Sequence, residues 1–299
     1  MTGLFRLFKK GNTVTINRQR GMARETWLRF LKNKPAVAGL FVISIIALTA
    51  IFADFISPYE RGIEMNMADR FMPPGSAYIF GTDEFGRDQF TRIIHGGRRS
   101  LSIGVATTII AITVGSFLAA LCGYYGGILD TIIMRICDIF NCIPTFLLAL
   151  AVVGTLGPSL FNLMAAITVA SIPYYIRMVR SVILAVVEED YIEAARACGT
   201  RGFKMITRHI LPNAMGPIIV EASMSVAGML LTAAGLSFIG MGIQPPTPEW
   251  GSMLSGGRDF IREHPHLIIF PGLSIAISAL SLNLVGDGLR DALDPKLKE

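Results

Sequence analysis

The sequence predicts an all-α integral membrane protein of about six transmembrane helices. Three observations carry this: a composition too apolar for a soluble chain of its length, a series of charge-poor runs near bilayer thickness, and basic residues gathered on one side of those runs. Of 299 residues, 52% are hydrophobic and only 16% charged. A soluble domain of that size needs more polar surface than this.

A hydrocarbon core about 30 Å thick takes roughly 20 residues of helix. The first run, 36–56, opens behind Pro35, which suits a first helical turn, and ends near Asp54. The second, 101–125, has no charged residue. From Ile139 to Ile176 the chain is charge-free for longer than one span needs, and Gly154, Gly157 and Pro158 divide it. The third span is therefore placed at 132–153 and the fourth at 160–176. Arg135 and Asp138 fall in the first turns of the third, three residues apart, where an ion pair near the interface is expected. The fifth span, 215–238, contains Glu221, and the sixth is 267–285. Pro144, Pro173 and Pro271 start or interrupt these runs, as flexing points or as fixed kinks.

Orientation follows from the basic residues, because cytoplasmic flanks carry the excess of Lys and Arg. The tail before the first span holds Arg6, Lys9, Lys10, Arg18, Arg20, Arg24, Arg29, Lys32 and Lys34. With that end inside, nineteen of the 27 basic residues are cytoplasmic and eight are outside, so both termini are expected in the cytoplasm. This distribution assigns the net charge of +5 to a membrane surface and not to nucleic acid. Residues 1–35 are thus expected to form a cytoplasmic tail and 36–299 the membrane domain. In the tail, Trp27, Leu28 and Leu31 share a helical face with Arg24 and Lys32 close by, the pattern of a short helix in the headgroup layer. The segment before about Gly21 reads as a disordered basic tail.

Between the fourth and fifth spans lies the one sizeable cytoplasmic loop, 177–213. Glu188, Glu189, Asp190 and Glu193 crowd the start of YIEAARACG, where carboxylates favour a helix N-terminus. Tyr191, Ala194, Ala195 and Cys198 recur at helical spacing, giving a small-residue face that fits a groove on a partner, and Gly199 is placed to end that helix. A basic segment with Arg201, Lys204 and Arg208 follows, and Pro212 marks a break before the next span.

The stretch Glu193-Ala194-Ala195, then Gly199, then Leu211-Pro212 resembles the EAA loop of ATP-binding-cassette import permeases, although His209 stands where that pattern commonly has Ile. GTDEFGRD (81–88), GLSFIGMGIQPPTPEWGSML (235–254) and GDGLRDALDPKL (286–297) look like segments of the dipeptide and oligopeptide permease family, in the second of its two permease types. That resemblance implies the type I importer fold and a multi-pass subunit of the bacterial cytoplasmic membrane that forms half of the path for di- and oligopeptides or, alternatively, for glutathione or nickel complexes. It further implies a complex of this chain with a homologous permease, two ATPase subunits or domains, and an extracytoplasmic binding protein. Glu193, Ala194, Ala195, Gly199, Leu211 and Pro212 would then couple transport to ATP and magnesium held by the partner subunits. No cofactor is expected on this chain, whose sequence has no Gly-Lys dipeptide and hence no phosphate loop of the GxxxxGK[ST] type.

Glu221 is expected either to line the pathway or to meet a basic group of the loop or of a partner. His264 and His266 flank a proline with no further ligand nearby, so metal coordination is incomplete. Gln244 to Pro248 with Trp250 reads as a rigid, aromatic-anchored cap at the outer interface. Cys122, Cys137, Cys142 and Cys198 show no metal or redox spacing and read as small reduced residues. An ion-coupled secondary transporter would not need the large loop, and an intramembrane enzyme lacks its residues: there is no HExxH, and Gly235-Leu236-Ser237-Phe238-Ile239 misses the closing glycine of a GxSxG elbow.

Overall fold

A computed structural model describes residues 18–293. The tail before Arg18, and Lys296 and Lys298, lie outside the described residues. Helix α1 (Arg18–Phe30) leads to α2 (Lys34–Ile51), whose N-terminus is capped by Asn33 accepting from the Ala36 amide at 3.2 Å, with Pro35 in the first turn. The Asn33 amide also donates to Asp291 at 3.1 Å, and Phe30 is buried with Ala36 and Ala292. Trp27, Leu28 and Leu31 stay exposed.

A short α3 (Ala53–Ile56) and the 3₁₀ turns Tyr59–Gly62 and Met67–Asp69 precede α4 (Gln89–Tyr125). The helix over the second expected span thus begins well before residue 101. Two of its early charges, Arg92 and Arg98, are satisfied by neighbouring segments, which hydropathy alone does not register. Asp88 caps it by accepting from the Phe90 amide at 3.2 Å and the Thr91 hydroxyl at 2.6 Å. Arg92 donates to the Gly62 and Pro246 carbonyls, and Arg98 to the Ala50 and Ile51 carbonyls and Asp54.

The run 132–153 is divided between α5 (Gly127–Asn141) and α6 (Thr145–Leu156), bent by 85° at Pro144. Proline fixes its own φ and pushes the preceding residue out of the helical region, so a new helix starts after it. Helix α7 (Leu160–Val187) continues far beyond residue 176 with Pro173 inside it. After α8 (Asp190–Ala197), α9 (Phe203–Met205) runs through a π-helical turn, Ile206–Ile210, into α10 (Leu211–Phe238). The break expected at Pro212 does not occur. The wider turn ahead of it, where the Leu211 amide reaches back to the Ile206 carbonyl, absorbs the proline, and the Asn213 side chain donates to the His209 carbonyl at 2.5 Å. Helix α11 (Trp250–Gly257) and α12 (His266–Leu293) complete the chain.

Five of these helical segments are long and apolar enough to cross a membrane, and the α5–α6 pair makes a sixth if its two arms are one span. Glycines set their approach. A Cβ on Gly115 would lie 2.6 Å from Tyr175 Cβ, so α4 and α7 meet in near backbone contact; Gly39 lets α2 reach Ser281 and Leu284 of α12 in the same way. Pro271 lies inside α12, and the carbonyl it releases, that of Leu267, accepts from the Gln89 amide at 3.3 Å.

Segment 57–88 and the residues around α11 build a polar cap over the end of the bundle remote from α8. Asp83 accepts from the Phe85 and Arg87 amides and from Arg87 Nε at 2.7 Å. Trp250 is buried at 1% exposure and anchors this cap to α4: its indole N–H donates to the Ile93 carbonyl at 2.9 Å, over Gly96 and Gly97. Buried Glu249 caps α11 through the Gly251 and Ser252 amides and accepts from Ser100; desolvation pushes its carboxyl above the usual range. His264 stacks on Phe71 at 4.2 Å, and His266 Nε2 lies 3.2 Å from the Thr82 carbonyl.

Gly115→Ala is expected to separate α4 from α7 and to cost about 1–3 kcal/mol, seen as a lowered unfolding midpoint in detergent. Gly216→Ala, where a Cβ meets nothing within 4 Å, should leave the midpoint unchanged or raise it.

Candidate functional site

The expected loop 177–213 is mostly helix, and only 188–202 leaves the long rods. Helix α8 begins with Asp190 and Glu193 in its first turn, where the helix dipole favours them. Ile192 is fully buried and Ala195 packs partly against the same core, while Tyr191, Glu193, Ala194 and Cys198 face outward. The small-residue face is therefore split. Ala195 turns inward beside Ile192, and the outer surface is left to Glu193, Ala194 and Cys198.

Gly199 closes α8 with φ +85°, where its amide donates to the Arg196 carbonyl at 2.9 Å and the Thr200 amide to Ala195 at 3.0 Å. This pair of bonds is a Schellman cap, and the left-handed residue in it is best served by glycine. Nothing lies within 4 Å of a Cβ at Gly199, so a side chain there would project away from the bundle. Tyr124, at the end of α4, holds the loop from beneath. Its hydroxyl accepts from the Gly202 amide at 3.0 Å, and Arg196 lies over its ring at 5.7 Å. Of the remaining motif residues, Leu211 is half-buried against the core and Pro212 is exposed, both just past the π turn.

The arginines that start the loop in sequence are structural members of α7. Arg180 donates to both oxygens of Asp130, and Arg177 donates to Asp138, each at 2.5 Å. The ion pair expected between Arg135 and Asp138 is replaced by this one. A guanidinium from a facing helix presents its fork to the carboxylate more directly than one three residues earlier on the same helix. Glu221, on α10, meets no basic group of the loop: it accepts from the Tyr174 hydroxyl at 2.9 Å and the Ser225 hydroxyl at 3.2 Å. It sits along the rod from α8, apart from the other motif residues. Tyr124, Ile192 and Asp130 escape sequence reasoning; the Tyr124-Tyr125 pair closing the second span was the one available signal.

Residues 111–299 match the family described as binding-protein-dependent transport system inner membrane component, and residues 21–74 match the N-terminal TM domain of oligopeptide transport permease C. The chain is 45% identical over 275 residues to the dipeptide transport system permease protein DppC of Alkalihalophilus pseudofirmus, covering 92% of this chain and 90% of that one. It is 41% identical to the di/tripeptide transport system permease protein DppC of Pseudomonas aeruginosa, with 92% of each chain covered. Its identity to the glutathione transport system permease protein GsiD of Pectobacterium atrosepticum is 45%, over 92% of this chain and 91% of that one. Among solved structures, a chain of the MetNI methionine ABC transporter in an inward-facing form superposes with a TM-score of 0.56 at 18% identity, covering 68% of this chain and 96% of that one.

Gly199→Asn is expected to keep the α8 cap, since Asn tolerates a left-handed backbone, whereas Gly199→Val should lose about 1–2 kcal/mol locally. Amide hydrogen exchange at residues 199 and 200 reads the difference, with faster exchange in the valine variant alone.

Proposed function

Because the chain belongs to the family of binding-protein-dependent transport system inner membrane components, and is thus a permease subunit and not an enzyme, we propose that it forms half of the path for di- and oligopeptides across the bacterial cytoplasmic membrane. The observation that carries the mechanism is the mounting of α8. Ile192 roots it in the core, Tyr124 and the Gly199 cap fix its C-terminal end, and Glu193, Ala194 and Cys198 remain outward. A short helix so held transmits a push into the bundle without bending.

The partners in this reading are a homologous permease, two ATPase subunits or domains that bind ATP and magnesium, and an extracytoplasmic binding protein. Closure of the ATPase pair moves α8, and α7 and α10, which flank it in the chain, carry that movement into the membrane. Residues 1–35 lie at the cytoplasmic surface, with exposed Trp27, Leu28 and Leu31 in the headgroups, and 36–299 form the permease domain. Both termini and α8 are cytoplasmic, and the cap of 57–88 and α11 faces outward, toward the binding protein.

Cys198 reports on this arrangement because it is free and exposed. In a Cys142→Ser background, a membrane-impermeant maleimide should label it in inverted vesicles and not in right-side-out ones, and assembly with the ATPase subunits should protect it. Labelling from the outer side would refute the orientation. Gly199→Trp and Glu193→Ala are expected to leave insertion intact and to lower peptide uptake by reconstituted complex at least about tenfold, the scale of one lost charge-assisted contact. Uptake by either variant at the wild-type rate would exclude α8 as the coupling element.

A further inference from the structure

Resting on the peptide-permease reading, we propose that Glu221, Tyr174 and Ser225 form a cation subsite that receives the α-ammonium group of a peptide in transit. Glu221 stands inside a helical rod, 203–238, that is long and apolar enough to cross the membrane. A carboxylate there is retained where it faces a partner charge or a water-filled cavity. The aspartates of α5 show the first solution, since Asp130 and Asp138 each hold an arginine of α7. Glu221 shows no such pairing: among the described residues, no lysine or arginine lies within ion-pair distance of it. It is only half-buried, and Tyr174 is half exposed beside it.

The hydrogen bonds around Glu221 orient its charge and leave it uncompensated. Tyr174 and Ser225 both donate to Oε1, so Oε2 is free to accept. Each hydroxyl oxygen, having given its proton to the carboxylate, keeps lone pairs of its own. Oε2 and the two hydroxyl oxygens therefore offer three acceptors, matching the three N–H donors of a primary ammonium.

The surface that carries this cluster is not lipid-like. Glu221, Ser225, Gly228 and Thr232 recur at spacings of four, three and four and so share one face of α10. Gly228 is exposed, with nothing within 4 Å of a Cβ position. Ile219 and Leu231, also exposed, lie on other sides of the helix and present the apolar bulk that hydrocarbon accepts. A polar, small-residue stripe leading from a carboxylate along a spanning helix suits a backbone-rich, zwitterionic cargo.

The test uses the assembled complex in proteoliposomes, with binding protein preloaded to saturation with dialanine or with its desamino analogue, which lacks the ammonium group. Wild type is expected to import dialanine faster by about tenfold, the scale of one charge-assisted contact, and Glu221→Gln to bring the ratio of the two rates close to one. Glu221→Asp should restore part of the preference, and Tyr174→Phe should reduce it. An unchanged ratio in Glu221→Gln sinks the subsite alone, while a wild-type complex importing neither peptide sinks the permease cargo reading with it. Loss of assembly in Glu221→Gln would show that the carboxylate holds a cation of a partner chain and would overturn the proposal as well.

Discussion

Inside a bilayer no solvent hydrogen-bonds a stranded polar group, and the pairing of Asp130, Asp138, Arg177 and Arg180 in the membrane helices follows from that constraint. Arg180 and Arg177 keep α7 helical beyond the residue where its apolar run ends, because Asp130 and Asp138 meet them on α5. The start of α4 obeys the same rule with other partners: Arg92 and Arg98 spend their donors on carbonyls of segments that cross over them. The length of the long rods is therefore set by pairing as much as by hydrophobicity. What leaves the rods is the short stretch that needs to be outside them.

This explains which parts of the fold were legible in the sequence. The number of apolar runs, Pro35 in the first turn of α2 and the acidic start of α8 are local properties and can be read one residue at a time. Helix ends were not legible, since a charge next to an apolar run marks a boundary only if no distant group neutralises it. Arg135 and Asp138 looked like partners for the same reason, being neighbours in the chain, and the facing helix won. Pro212 looked like a stop signal, yet a π turn just ahead of it lets the rod continue.

The candidate coupling helix was legible in its motif and illegible in its mounting. Glu193, Ala194 and Gly199 stand out by type and spacing, and the positive φ of Gly199 has the local cause its residue type suggests. That Ala195 turns inward beside Ile192, and that a tyrosine from the far end of α4 grips the loop, depends on contacts between segments far apart in sequence. Trp250 teaches the same lesson at the other end of the bundle. Trp250 reads from the sequence as the anchor of a cap, but that two successive glycines on α4 open the slot that buries it depends on the packing.

One small bond has a wide reach. The carbonyl that Pro271 releases is taken by Gln89, the first residue of a helix whose other end holds Tyr124 beneath α8. Tilting the start of α12 away from α4 would strip that buried oxygen of its donor, at a cost of about 1 kcal/mol, so the bond favours the two helix starts moving together. Gln89 thus pegs the start of one long rod to the start of another, at the end of the bundle remote from α8.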